Sequence, residues 1–196
     1  MAILLIRHGE TALNRARIVQ PKETPLSALG VEQAEALGRR LASRPIARIL
    51  CSDLPRACMT ADAVAMHHEA PIQTTPLLRE RDFGAVCGTP YSELTVDLFS
   101  EDFVPPQGES WAAFRSRASD AFALIARSAV GLSGDLAVVT HGLMCHSLVA
   151  GHAALADGVE LPVSWSNASL TVLTHDPPYR VELLNCAAHV SAIASL

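Results

Sequence analysis

The sequence predicts an α/β protein: a three-layer sandwich with a mainly parallel central sheet, helices on both faces and an antiparallel C-terminal hairpin. Three observations carry that expectation. Short strand-like runs, the continuous apolar Ala2–Ile6, Ala47–Cys51 broken only by Arg48, and Leu136–Thr140, have the length of strands buried in a sheet. Segments with apolar residues at helical spacing separate them. Near the end, two strand-like stretches flank the turn His175-Asp176-Pro177-Pro178. Strands alternating with helices put the crossovers on both faces of a parallel sheet.

Each element follows in order. Ala2–Ile6 is the first strand, ended by Arg7 and Gly9. Val31, Ala34, Leu37, Gly38 and Leu41 share one helical face, with Glu32, Glu35, Arg39 and Arg40 elsewhere. Ala47–Cys51 is the second strand. Ser52 and Asp53 then read as capping residues and Pro55 as the first turn of a helix reaching about His67. Ile72–Thr74 is a short third strand. Leu77–Pro90 reads as a loop broken by Gly84, Gly88 and Pro90, Tyr91–Phe99 as a short helix, and Pro105–Gly108 as a turn. Ser110 caps a long helix to about Ser128, Leu136–Thr140 is a buried strand, and His141–Ala156 is helical. Ala168–Thr174 and Tyr179–Leu184 form the hairpin. No linker divides the chain, so residues 1–196 read as one domain.

Composition narrows the function. Apolar residues make up 49% of the 196 positions and charged residues 18%, which suits a packed core rather than disorder. A formal charge of −5 argues against nucleic acid or an anionic membrane as partner. No apolar run approaches the ~20 residues of a membrane span, and Arg7 cuts the first run too short for a signal-peptide core. The five cysteines are scattered, with no C-x-x-C pair, which suits reduced thiols and a cytoplasmic protein better than disulfides or a zinc site.

In open parallel sheets, ligands bind beyond the carboxyl ends of the strands. The first strand ends in Arg7-His8-Gly9-Glu10, the second in Ser52-Asp53-Leu54-Pro55-Arg56, and Leu136–Thr140 in His141-Gly142. Two histidines and two arginines thus gather at one edge. A neutral imidazole is a competent nucleophile, and guanidinium forks match phosphate oxygens. Fixed positive donors are the main lever on phosphoryl transfer, where charge spreads over the equatorial oxygens. Gly9 and Gly142 are expected to clear room for backbone close to such an anion.

The blocks R-H-G-E-T with Asn14, S-D-L-P-R-A, L-R-E-R-D-F-G and T-H-G occur in this order over essentially the whole chain. Together they resemble the histidine phosphatase superfamily, whose fold is phosphoglycerate-mutase-like. The resemblance implies that His8 becomes phosphohistidine, that Arg7, Arg56 and His141 clamp the phosphate, and that Glu80 is the general acid. Thr11 and Asn14 would contact phosphate or substrate, as would Gly142. Gln20 stands where many members carry a glycine that donates its N–H, and its side-chain amide is the available substitute. No metal and no cofactor is implied. Glu10, Asp82 and Glu109 are rival acids, and Val86-Cys87-Gly88 replaces the Trp-Glu-Gly common in the family. The short stretch between Gly84 and Ser110 implies a site open to water. The expected activity is therefore hydrolysis of a small phosphomonoester; the alternatives are a phosphoglycerate-type mutase and an inactive phosphate-binding regulatory module. The oligomeric state is left unassigned.

Overall fold

The computed structural model describes residues 1–191. Its elements are β1 (Ala2–Arg7), α1 (Ala12–Ala16), α2 (Ala28–Leu41), β2 (Ile46–Ser52), α3 (Pro55–Ala65), β3 (Ile72–Thr75), α4 (Trp111–Ala129), β4 (Asp135–Thr140), α5 (Gly142–His152), β5 (Leu170–Thr174), β6 (Val181–Cys186) and the terminal turn α6 (Ala188–Ser191). The six strands form one sheet in the order β3-β2-β4-β1-β5-β6. The pairs β2·β3, β2·β4 and β1·β4 are parallel, while β1·β5 and β5·β6 are antiparallel. This is the α/β architecture expected from the alternation of strands and helices.

The apolar runs alternate between two cores. Ile3, Leu5, Leu136 and Val138 pack with Phe114, Ile125 and Leu148 of α4 and α5. Ala2, Leu4, Ile6, Ala137 and Val139 face the opposite way, onto Leu37, Leu41, Ala61 and Val64 of α2 and α3. With a side-chain period of two, a strand covered on both faces must be apolar throughout. A third, smaller core of Val19, Phe83 and Leu98 gathers Val86, Cys87 and Phe103 around it.

Several local expectations need correction. Tyr91–Phe99 is not a helix; only Tyr91–Glu93 forms a 3-10 turn. Leu94 is extended, the Asp97 carboxylate accepts the Phe99 N–H at 2.9 Å, and the Leu98 carbonyl accepts from Arg81. Local polar turns thus replace the helical ladder. The predicted helix to Ala156 stops at His152, because Ala154 pairs with the backbone of Tyr179 and Arg180. α3 begins at Pro55, with Leu54 as an N-cap that offers no side-chain bond, since Ser52 and Asp53 are engaged elsewhere. Two 3-10 turns, Pro76–Leu78 and Gly84–Val86, interrupt the Leu77–Pro90 loop.

Candidate active site

Strand register builds one end of the site. Arg7 is paired with Thr140 across β1 and β4, so His8 and His141 are each one residue past the same rung. The His8 N–H donates to the Thr140 carbonyl at 2.9 Å. The two imidazole rings lie 5.1 Å apart between centroids. β2 ends level with them, with Cys51 paired to Val139 and Ser52 to Thr75. Residues from the first 8 and the last 56 positions of the chain thus share one strand edge.

His8 is almost fully buried. Its Nδ1 lies 2.6 Å from the Gly9 carbonyl, which can only accept, so Nδ1 carries the proton and Nε2 keeps its lone pair. Burial, then the charges of Arg7 and Arg56, hold the His8 pKa well below the ordinary imidazole value. Burial and the same arginines act likewise on His141. Both rings are neutral at pH 7. The His141 Nε2 lies 2.8 Å from the Ser52 hydroxyl. The His141 Nδ1 is buried with no hydrogen-bond partner among the described residues.

Two buried guanidinium groups share that condition. Arg7 donates one Nη1 hydrogen to the Trp165 carbonyl, and Arg56 shares Nη1 between the Pro21 and Lys22 carbonyls at 3.3 Å each. The Nε of Arg7 and of Arg56 is buried with no partner among the described residues. Each unanswered donor costs about 1–3 kcal/mol, which an incoming anion would return. Asn14 and Gln20 add to the set. The Asn14 Oδ1 is occupied by the Thr11 and Asn167 donors, and the Gln20 Oε1 accepts the Thr11 hydroxyl at 2.8 Å. The NH₂ groups of both amides remain uncommitted. Arg7, His8, Asn14, Gln20, Arg56 and Glu80 all line one cavity of about 530 Å³, whereas His141, fully buried, stands behind that wall against the His8 ring.

Glu80 is half-buried on the same wall. Its Oε1 accepts the Arg81 N–H and its Oε2 the Leu143 N–H, both at 3.1 Å. Burial raises its pKa against the pull of these N–H groups and of Arg56 and Arg7. The rival acids differ. Both oxygens of Glu109 are held by Arg117 at 2.9 and 2.6 Å. Burial pushes Asp82 upward, but Lys22 and the Gly84 N–H hold it below the usual carboxylate range. Glu10 accepts from Ser27 and is not on the cavity wall.

The cavity is lined by cations and uncommitted donors around a free imidazole nitrogen, and residues 3–186 match the family described as the histidine phosphatase superfamily (branch 1). The chain belongs to the histidine phosphatase superfamily. It is 35% identical over 137 residues to the fructose-2,6-bisphosphatase TIGAR of Xenopus tropicalis, covering 64% of this chain and 50% of that protein. The chain spans about half the length of the curated relatives it matches. Among solved structures, a mycobacterial glucosyl-3-phosphoglycerate phosphatase with VO3 superposes with a TM-score of 0.79 at 25% identity, over 94% of this chain and 99% of that one. A phosphoglycerate mutase from Bacillus anthracis gives a TM-score of 0.80 at 26% identity, over 97% and 95% of the two chains.

Within this histidine phosphatase fold, some expected roles move. Thr11 is fully buried and off the cavity wall; it caps α1 in a capping box with Asn14 and aims the two amides. Gly9 answers a packing demand rather than a substrate one. A Cβ there would lie 2.4 Å from the Gly30 carbonyl, and one on Gly30 would lie 1.9 Å from the Glu10 carbonyl. These two glycines let α2 press against the loop that carries His8. Gly142 lines the cavity, where a Cβ would make only ordinary contact with Arg7. Sequence reading passed over Asn167, which donates to the His8 carbonyl and to Asn14, and over Trp165. It also passed over Arg117, which donates to the Leu77, Arg79 and Glu80 carbonyls and so fixes the backbone that carries Glu80. Among the described residues, no group of three or more His, Cys, Asp or Glu converges as a metal site would require, and no helix is long and apolar enough to cross a membrane.

Proposed function

We propose that this chain, acting as a single domain, hydrolyses small phosphomonoesters through a phosphohistidine on His8. The observation that carries the reading is the set of buried, unpartnered nitrogens on Arg7, Arg56 and His141 beside the free Nε2 of His8. Two guanidinium donors left without acceptors on the cavity wall, with the His141 ring behind the nucleophile, suit a tetrahedral anion.

In the first step, the Nε2 lone pair attacks phosphorus, the P–O bond to the alcohol breaks, and Glu80 gives its proton to the leaving oxygen. Arg7, Arg56 and His141 hold the equatorial oxygens, assisted by the amides of Asn14 and Gln20. The Gly9 carbonyl accepts from Nδ1–H and fixes the ring as it gains positive charge. In the second step, ionised Glu80 takes a proton from water, the water oxygen bonds to phosphorus, and the N–P bond breaks. The alcohol and inorganic phosphate are the products. Relatives described as phosphatases support this reading. Five free thiols support a reducing compartment such as the cytoplasm.

The test is phosphate release from p-nitrophenyl phosphate, with and without chelator, combined with acid-quench trapping of the enzyme-bound phosphate. Wild type should release phosphate in chelator and carry an acid-labile phosphate that His8→Ala lacks. Loss of activity in chelator would sink the metal-free route. Isomerisation of a phosphoglycerate without free phosphate would mark a mutase. No turnover and no labelling would mark a binding module.

A further inference from the structure

The walls beyond the phosphate donors speak to the rest of the substrate. Several cations line the cavity, and apart from Arg7 and Arg56 each is already answered. Lys22 pairs with Asp82 at 2.8 Å, Arg79 with Asp53 at 2.5 Å, and Arg117 with Glu109 at 2.6 Å. Arg81 gives its hydrogens to the carbonyls of Glu109, Leu98 and Phe103. A second phosphate or a carboxylate on the substrate would have to compete with Asp82, Asp53 and Glu109 for these cations among the described residues.

Beside this cavity lies a second, of about 740 Å³, between α4 and α5. The two share Phe99, Leu143, His146 and Val163 in their walls. Phe99 is 53% exposed and Val163 completely so, although both are large and apolar. Trp111 adds an aromatic wall, and Ser119 and Ser147 add hydroxyl groups. The nearby cation, Arg115, is paired with Glu101 at 2.6 Å. An apolar chamber joined to the reaction site, with its rim uncovered and its cation neutralised, suits the uncharged end of a ligand.

We propose that the alcohol released by this enzyme carries no second anionic group and bears an apolar, aromatic or aliphatic part that enters the second cavity. The inference rests on the phosphatase reading above and narrows it to one substrate class. Sugar bisphosphates and phosphoglycerates fall outside that class.

The test is a series of phenyl-terminated alkyl phosphates of increasing chain length, run beside glycerol phosphate, fructose 1,6-bisphosphate and 3-phosphoglycerate, with phosphate release as the readout. KM should fall about threefold for each methylene that carries the ring into the second cavity. The best of the series should exceed both anionic alcohols in kcat/KM by about tenfold or more. Gly151 lines the second cavity, and a Cβ there meets no atom within 4 Å, so Gly151→Trp places a bulky side chain at its wall with no clash at the point of attachment. That variant should abolish the chain-length trend and leave glycerol phosphate hydrolysis unchanged. A flat series, or preference for the bisphosphate, in an enzyme that turns over p-nitrophenyl phosphate and labels His8, would overturn this inference alone. No turnover of any ester and no label would overturn the phosphatase reading and this one with it.

Discussion

Arg7 and Arg56 line the same cavity as Arg81 and Arg117, yet the two pairs spend their hydrogens differently. Arg81 and Arg117 give theirs to main-chain carbonyls and to Glu109. Arg81 also lies over the Trp111 ring, 4.1 Å from its centroid. Arg7 and Arg56 each keep a buried Nε with nothing to donate to. A satisfied buried arginine fastens structure, whereas an unsatisfied one waits for a ligand. Burial alone does not separate them, since Arg56 and Arg81 are 3% and 2% exposed. The hydrogen-bond account does.

Substitutions can break this contrast or sharpen it. The largest effect belongs to the group that the waiting donors surround. His8→Ala should lower phosphate release by about 10⁴-fold or more, measured on p-nitrophenyl phosphate; a loss under tenfold would remove the reason for the donors. Next is Arg81→Met, which strips three carbonyls of their partner and should cost about 3–5 kcal/mol in denaturant unfolding. Arg56→Met should do the reverse. It should lower kcat/KM about 10²- to 10³-fold while stability stays within about 1 kcal/mol. Equal stability losses in the two variants would erase the distinction. Glu80→Gln should slow alkyl phosphates about 10²-fold and aryl phosphates much less, because a phenolate leaves without a proton. Equal slowing of both would take the acid role from Glu80.

The smallest effect is on acid stability. His8 and His141 stay neutral when folded, whereas an unfolded imidazole takes up a proton near pH 6.5. Below that pH the unfolded chain binds more protons, so stability falls as pH falls toward the folded pKa values. Each ring contributes about 1.4 kcal/mol per pH unit within that window. Glu80, raised in the folded state, acts in the opposite sense and offsets part of the loss. Thermal midpoints between pH 7.5 and 5.5 should fall more steeply for wild type than for His8→Ala.

How much of this was legible in the sequence follows from range. Strands were readable because burial on both faces forces unbroken apolar runs, and their ends locate His8, Arg56 and His141. Ser110 caps the long helix as expected, with its hydroxyl accepting the Ala113 N–H. Register was not readable, because nothing within β1 or β4 says that Arg7 meets Thr140. The five-residue helix α1 is too short to show a period, and Thr11 looked like a ligand contact although it is a cap. Gly9 read as clearance for an anion, since its packing neighbour, Gly30, is 21 positions on. Arg81, Arg117 and Asn167 act on main-chain atoms far away in sequence, the Trp165 carbonyl accepts from the distant Arg7 side chain, and no local pattern marks such partners.

The shared rung between β1 and β4 has a thermal consequence. The backbone positions that carry the two imidazoles can separate only if neighbouring strands slide past each other, which breaks a whole ladder of bonds at once. The segment carrying Phe99 has no such ladder and can fluctuate piecemeal. Warming the protein should therefore blur which esters it accepts well before it blunts its capacity to cleave them.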